Sequence, residues 1–131
     1  MHLIRTFERK AAEVSRARRF VADALERAGR EPPDEVMLVT SELVSNAVIH
    51  GADPVEVHLQ LVDDALHLEV HDAGGAEIDV PSMPGNGALG GRGLPLVAAL
   101  ARSCGSRLDN RGHTTVWAEL PAPAVGRPRV R

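Results

Sequence analysis

Val55-Glu56-Val57-His58-Leu59-Gln60-Leu61-Val62-Asp63-Asp64-Ala65-Leu66-His67-Leu68-Glu69-Val70-His71 is the stretch on which the architecture turns. Val55, Val57, Leu59 and Leu61 alternate with Glu56, His58 and Gln60. After Val62-Asp63-Asp64-Ala65 the alternation resumes, with Leu66, Leu68 and Val70 set against His67, Glu69 and His71. Successive side chains of a strand point to opposite faces, so a period of two predicts a hairpin with one buried face and one wet face.

The flanking segments have a different period. From Ala11 to Ala28 the residues Val14, Ala17, Val21, Ala24, Leu25 and Ala28 recur at spacings of three and four, which predicts an amphipathic helix ended by Gly29. Pro32-Pro33-Asp34 separates it from a second helix, Asp34 to His50, for which Asp34 is the expected N-cap and Gly51 the expected C-cap. Leu3 to Phe7 reads as a short edge strand or an ordered arm. Beyond Asp72 the chain reads as loop: seven of the twelve glycines fall between Gly74 and Gly93, together with Pro81 and Pro84. A loop of that length in a compact domain serves as a lid, binds a ligand or is disordered. A third helix is expected from Leu94 to Arg102, then strands at Ser106 to Leu108 and Thr114 to Leu120, and a frayed tail from Pro121 to Arg131. Helix, helix, hairpin, loop, helix, hairpin describes an α+β two-layer sandwich rather than alternating βαβ units.

Composition narrows the function classes. The 131 residues suit one domain, and 44% hydrophobic content allows a sizeable core, built from aliphatics because there are two Phe, one Trp and no Tyr. So few rings argue against a platform that stacks single-stranded bases, and a net charge of -3 gives no bulk attraction to nucleic acid. One cysteine, Cys104, excludes an intramolecular disulfide framework and a thiolate zinc cluster; it is read as a packing residue. Met1-His2-Leu3-Ile4-Arg5 runs into charge without an apolar leader, and runs such as Leu94 to Ala101 are too short to cross a bilayer, so a cytoplasmic location is expected.

Three places carry candidate chemistry. On the second helix Val36, Val39, Leu43 and Ala47 line up as the buried stripe, while Glu42 and Asn46, one turn apart, border it. Taken alone, such a pair is more often solvated. Asp72 shares the parity of Leu66, Leu68 and Val70 and is expected to point inward, where a carboxylate needs donors; an Asx-turn residue capping the loop is the equal alternative. Gly90-Gly91-Arg92-Gly93-Leu94-Pro95 leads into a helix, where exposed backbone N–H groups suit phosphate. It matches neither the Walker nor the Rossmann pattern. His58, His67 and His71 share the outer face of the hairpin, so a metal site is conceivable. Diagonal cross-strand histidines seldom give tetrahedral geometry without a further ligand, and solvated strand residues are the expectation.

In order, Glu42-Leu43-Val44-Ser45-Asn46-Ala47-Val48-Ile49-His50-Gly51, Asp72-Ala73-Gly74, Gly90-Gly91-Arg92-Gly93-Leu94 and Thr114-Thr115-Val116-Trp117-Ala118-Glu119-Leu120 resemble the GHKL ATPase superfamily (Bergerat fold), and within it the small bacterial anti-sigma-factor serine/threonine kinases. The resemblance spans about Arg5 to Leu120 and implies one ATP-binding domain over residues 1–120. It also implies a mainly antiparallel mixed sheet, three main helices on one face and a Gly-rich ATP lid. Carried across residue by residue, Asn46 would hold Mg²⁺ and Glu42 would act as general base toward a partner's hydroxyl. Asp72 would accept from the adenine amino group, and Gly74 would make room for the base. Gly91, Arg92, Gly93 and Leu94 would close over the phosphates, and Thr115 would help on the adenine side. Implied partners are a sigma factor and an anti-sigma antagonist, with a homodimer open and no direct nucleic acid or membrane contact. Two departures bear on activity: Ala76 stands where the family's second glycine is usual, and Thr114 where a Lys is frequent. An ATP-binding module that has lost transfer and works by sequestration is the rival implication.

Overall fold

The structure is a computed structural model, described here for residues 1–74 and 94–126. The order is β1 (His2–Phe7), α1 (Ala12–Arg27), α2 (Asp34–His50), β2 (Val55–Val62), β3 (Ala65–Asp72), α3 (Leu94–Leu100), β4 (Ser103–Leu108) and β5 (Thr114–Pro121). The strands form one sheet in the order β1-β2-β3-β5-β4, and every pairing among the described residues is antiparallel. No helix there is long and apolar enough to cross a membrane.

The hairpin follows its alternation. Val55 pairs with Asp72, Val57 with Val70 and Leu59 with Leu68, so the buried residues of both strands share one face. Asp63 adopts a φ of 54° in the tight turn, a left-handed conformation that Asp tolerates better than most residues. β5 adds Val116, Ala118 and Leu120 to the same face. Against it pack Ala17, Val21 and Leu25 of α1, Val36, Val39 and Leu43 of α2, and Leu94 and Val97 of α3. Each Leu or Val so buried contributes about 1.5–3 kcal/mol, which is what holds the helical layer to the sheet.

Several boundaries differ from expectation for local reasons. Asp34 is the first helical residue of α2; Pro33, extended at φ -80° and ψ 155°, occupies the cap, and no side chain caps it. The third helix stops at Leu100, and β4 begins at Ser103, ahead of the Ser106 start expected from sequence. Cys104 therefore lies on a strand opposite Ala118, half-buried, and burial pushes its thiol pKa up, away from nucleophile chemistry. Residues 121–126, expected within a frayed tail, are instead held by the domain. Pro121 belongs to β5, and the following residues dock: Ala124 O accepts from Glu31 N, Gly126 N donates to Gly29 O, and Pro123 O accepts from Arg30 Nη1. Residues 127–131 lie outside the described residues.

On the outer face Gly105 of β4 pairs with Trp117 of β5, and a Cβ at 105 would come within 2.9 Å of the indole. The ring thus lies across the glycine of an edge strand. Gly105→Ala is expected to displace Trp117, shifting its fluorescence and lowering stability by about 1–3 kcal/mol, as overpacking does. An unchanged emission spectrum would contradict this packing.

Candidate active site

The end of α2 and the end of β3 meet at one corner. Gly51 N closes the helix on Ala47 O at 2.9 Å, and the Arg9 guanidinium donates to Val48 O at 2.6 Å, a cation placed at the negative end of the helix dipole. Ala73 N then donates to Ala52 O at 3.0 Å, tying the chain beyond α2 to the chain beyond β3.

Asp72 lies inside this corner, only 4% exposed. Its Oδ1 accepts from Gly74 N at 2.7 Å and Ala52 N at 3.2 Å, and neither bond uses Oδ2. The Gly74 bond is an Asx-turn, so both readings of Asp72 hold: it points inward and also shapes the start of the loop. Burial raises its pKa above the ordinary aspartate value, and the two N–H donors only partly offset that. A Cβ on Gly51 would sit 2.5 Å from Asp72 Cγ, and one on Gly74 would sit 2.9 Å from Oδ1. The carboxylate is therefore cradled between two glycines that no other residue replaces without movement.

Thr114 closes the corner from β5: it pairs with Asp72 and donates its hydroxyl to Gly74 O. Thr115, expected on the adenine side, pairs with His71 and faces the opposite side of the sheet. Directly paired residues of antiparallel strands share a face, so Thr114 is the residue at the Asp72 corner. Its parity with the inward Val116, Ala118 and Leu120 was the available signal.

On α2 the helical spacing places Glu42 and Asn46 one turn apart, with Glu42 half-buried and Asn46 2% exposed. Asn46 Oδ1 is buried and has no hydrogen-bond partner among the described residues. The one other such atom there, Glu13 Oε2, has the Arg16 guanidinium 3.5 Å away. An unpaired buried carbonyl costs about 1–3 kcal/mol, so the arrangement fits an oxygen held ready for an external partner such as a hard cation. Leu94 opens α3 with its side chain fully buried in the core, leaving only its backbone to offer to a ligand. Gly91, Arg92 and Gly93, with the rest of the glycine-rich stretch, lie outside the described residues.

The helix-borne Glu42 and Asn46 and the Asp72 corner thus stand on the two layers that enclose the core. A search of curated proteins finds no match to the chain. The sequence model for the histidine kinase-like ATPase domain matches residues 7–119, from the last residue of β1 nearly to the end of β5. The chain belongs to the histidine-kinase-like ATPase domain family, whose members bind ATP.

Proposed function

We propose that this protein is an ATP- and Mg²⁺-dependent serine/threonine protein kinase of the anti-sigma-factor type. It transfers the γ-phosphoryl group to a hydroxyl of an antagonist partner and holds a sigma factor through another surface. The observation that carries this reading is the buried Oδ1 of Asn46, without a partner among the described residues and one helical turn from the carboxylate of Glu42.

Bound Mg-ATP supplies the phosphoryl group, with the cation neutralising charge on the phosphates. The chain's own part is positioning, which is most of what phosphoryl transfer asks of a protein. Asp72 offers a carboxylate acceptor to the amino group of adenine, and the glycines at 51 and 74 keep that acceptor in one orientation. Asn46 offers its amide oxygen to the cation. Glu42 would orient the partner's hydroxyl and take its proton as that oxygen bonds to the γ-phosphorus, the bond from γ-phosphorus to the bridging oxygen breaks and ADP leaves. Thr114 secures the chain at Gly74, beside the base.

The test is a thermal melt with and without Mg-ATP, paired with a transfer assay on a candidate antagonist. Ligand at a hundred times its dissociation constant stabilises by about 2.7 kcal/mol, a rise on the order of 10 °C. Asn46→Ala is expected to lose the Mg²⁺-dependent part of that rise. Glu42→Gln is expected to keep the rise and lose transfer. An unsubstituted protein that melts higher with Mg-ATP yet transfers nothing would point to the sequestering module instead.

A further inference from the structure

The outer face of the sheet, on the side away from the helices, carries a second cluster that the nucleotide corner does not use. Alternation on β2 turns Glu56 and His58 outward two residues apart, and the β2–β3 register sets His71 directly opposite Glu56. Their potential ligand atoms all lie within 4.8 Å of one another, and all three residues are half-buried. His58 Nε2 is 3.0 Å from Glu56 Oε1, and the imidazoles of His58 and His71 lie face to face with centroids 3.9 Å apart.

His67 does not join them. Its ring lies along Trp117 at 5.6 Å, and its Nε2 is 2.7 Å from Glu69 Oε2. The sequence placed three histidines on this face and expected them solvated; the register brings Glu56, not His67, beside His58 and His71.

A supporting layer stands behind the three. Glu69 Oε1 is 2.7 Å from His71 Nε2 and 3.1 Å from the Arg107 guanidinium. A histidine that donates one ring N–H to a carboxylate has its tautomer fixed and its other nitrogen free for a metal.

We propose that Glu56, His58 and His71 form a binding site for a borderline transition-metal dication of the Zn²⁺ type. Two imidazoles and one carboxylate are a nitrogen-rich set that Mg²⁺ and Ca²⁺ do not favour. Three protein ligands leave the fourth tetrahedral position to water or an incoming ligand. Zinc–ligand distances near 2.0–2.2 Å require ligand atoms roughly 3.3–3.5 Å apart, and a metal lies in the plane of each imidazole that binds it, so His58 and His71 must turn out of their parallel stack to complete the site. The site is independent of the nucleotide reading: it lies on the other face of the sheet, and its test involves no ATP.

The experiment uses the full chain without a polyhistidine tag, stripped of metal and titrated with Zn²⁺ against a chromophoric chelator. One Zn²⁺ per chain is expected, with affinity at least ten-fold weaker in His58→Gln and in His71→Gln. Glu69→Gln is expected to weaken it about ten-fold through the supporting hydrogen bond. His50→Gln, at the exposed end of α2, and Asn46→Ala are expected to leave it unchanged, as is a millimolar excess of Mg²⁺. In the unsubstituted protein, Zn²⁺ should shift the imidazole NMR signals of His58 and His71 before those of the other histidines, a readout that needs no variant to fold. Failure to bind Zn²⁺ stoichiometrically would overturn the proposal. So would affinity indifferent to both His58→Gln and His71→Gln, or first shifts at other histidines.

Discussion

Gly51→Ala is expected to lower stability by about 1–3 kcal/mol and to abolish the rise in melting temperature that Mg-ATP gives. The new Cβ would fall 2.5 Å from Asp72 Cγ and 2.6 Å from Ala47 O. Neither neighbour can yield cheaply. Ala47 O is helix backbone already accepting from Gly51 N, and Asp72 is short and held by the N–H groups of Ala52 and Gly74. Relief requires unwinding the last turn of α2 or turning the carboxylate out of its cradle, and either change disorders the adenine end of the site. Gly29→Ala is the control. That residue has a φ of 76° with nothing within 4 Å of a new Cβ, so alanine there costs about 1–2 kcal/mol of backbone strain without touching the corner. Melting curves of the two variants, with and without Mg-ATP, separate the effects: both should melt lower, and only Gly51→Ala should lose the nucleotide response. A full response in Gly51→Ala would mean that Asp72 does not depend on this packing.

Asp72→Asn is expected to weaken ATP binding by roughly 10–150-fold, the worth of one hydrogen bond to a charged acceptor, while making the nucleotide-free protein more stable at neutral pH. The carboxamide oxygen can keep both bonds to Ala52 N and Gly74 N, which fall on Oδ1, so the corner itself survives. What is lost is an acceptor, with a donor in its place. The stability gain follows from the pKa. Burial raises the folded-state value of Asp72 above the unfolded one, so its stabilising contribution is complete below the unfolded pKa and is lost as pH rises through the folded pKa. At neutral pH the aspartate is a buried charge that the asparagine removes. The gap in melting temperature between the variant and the unsubstituted protein should therefore widen with rising pH above the ordinary aspartate range, then level off. A gap independent of pH, or of opposite sign, would contradict a desolvated carboxylate at this corner. A residue that costs stability empty and contributes affinity when occupied is a common property of binding sites.

Much of the fold was legible because periodicity is a local consequence of backbone geometry. The alternation from Val55 to His71 and the spacing of Val14, Ala17, Val21 and Leu25 needed no knowledge of partners. Inward parity likewise assigned Asp72 to the buried face. Boundaries were less legible where a competing local preference decided them, as with Pro33 taking the cap of α2 ahead of Asp34. The docking of residues 122–126 beside Gly29, Arg30 and Glu31 was not legible at all, because an aperiodic segment carries no signal of where its backbone finds partners.

Sequence alone determined the class of the protein: an aliphatic α+β domain with a Glu42–Asn46 pair on one helix and an inward Asp72 before a glycine-rich stretch. Tertiary structure decided which side chains meet. Thr114 rather than Thr115 stands beside Asp72 because strand register chooses the facing residue, and a shift of one position reverses every side chain. Glu56 rather than His67 joins His58 and His71 for the same reason, since it lies opposite His71 on the neighbouring strand. Asn46 Oδ1 is buried with no partner among the described residues only in the packed domain, which its place on α2 alone does not reveal. Spacing along a chain sets the direction of a side chain on its own element, whereas burial and company depend on packing between elements distant in sequence.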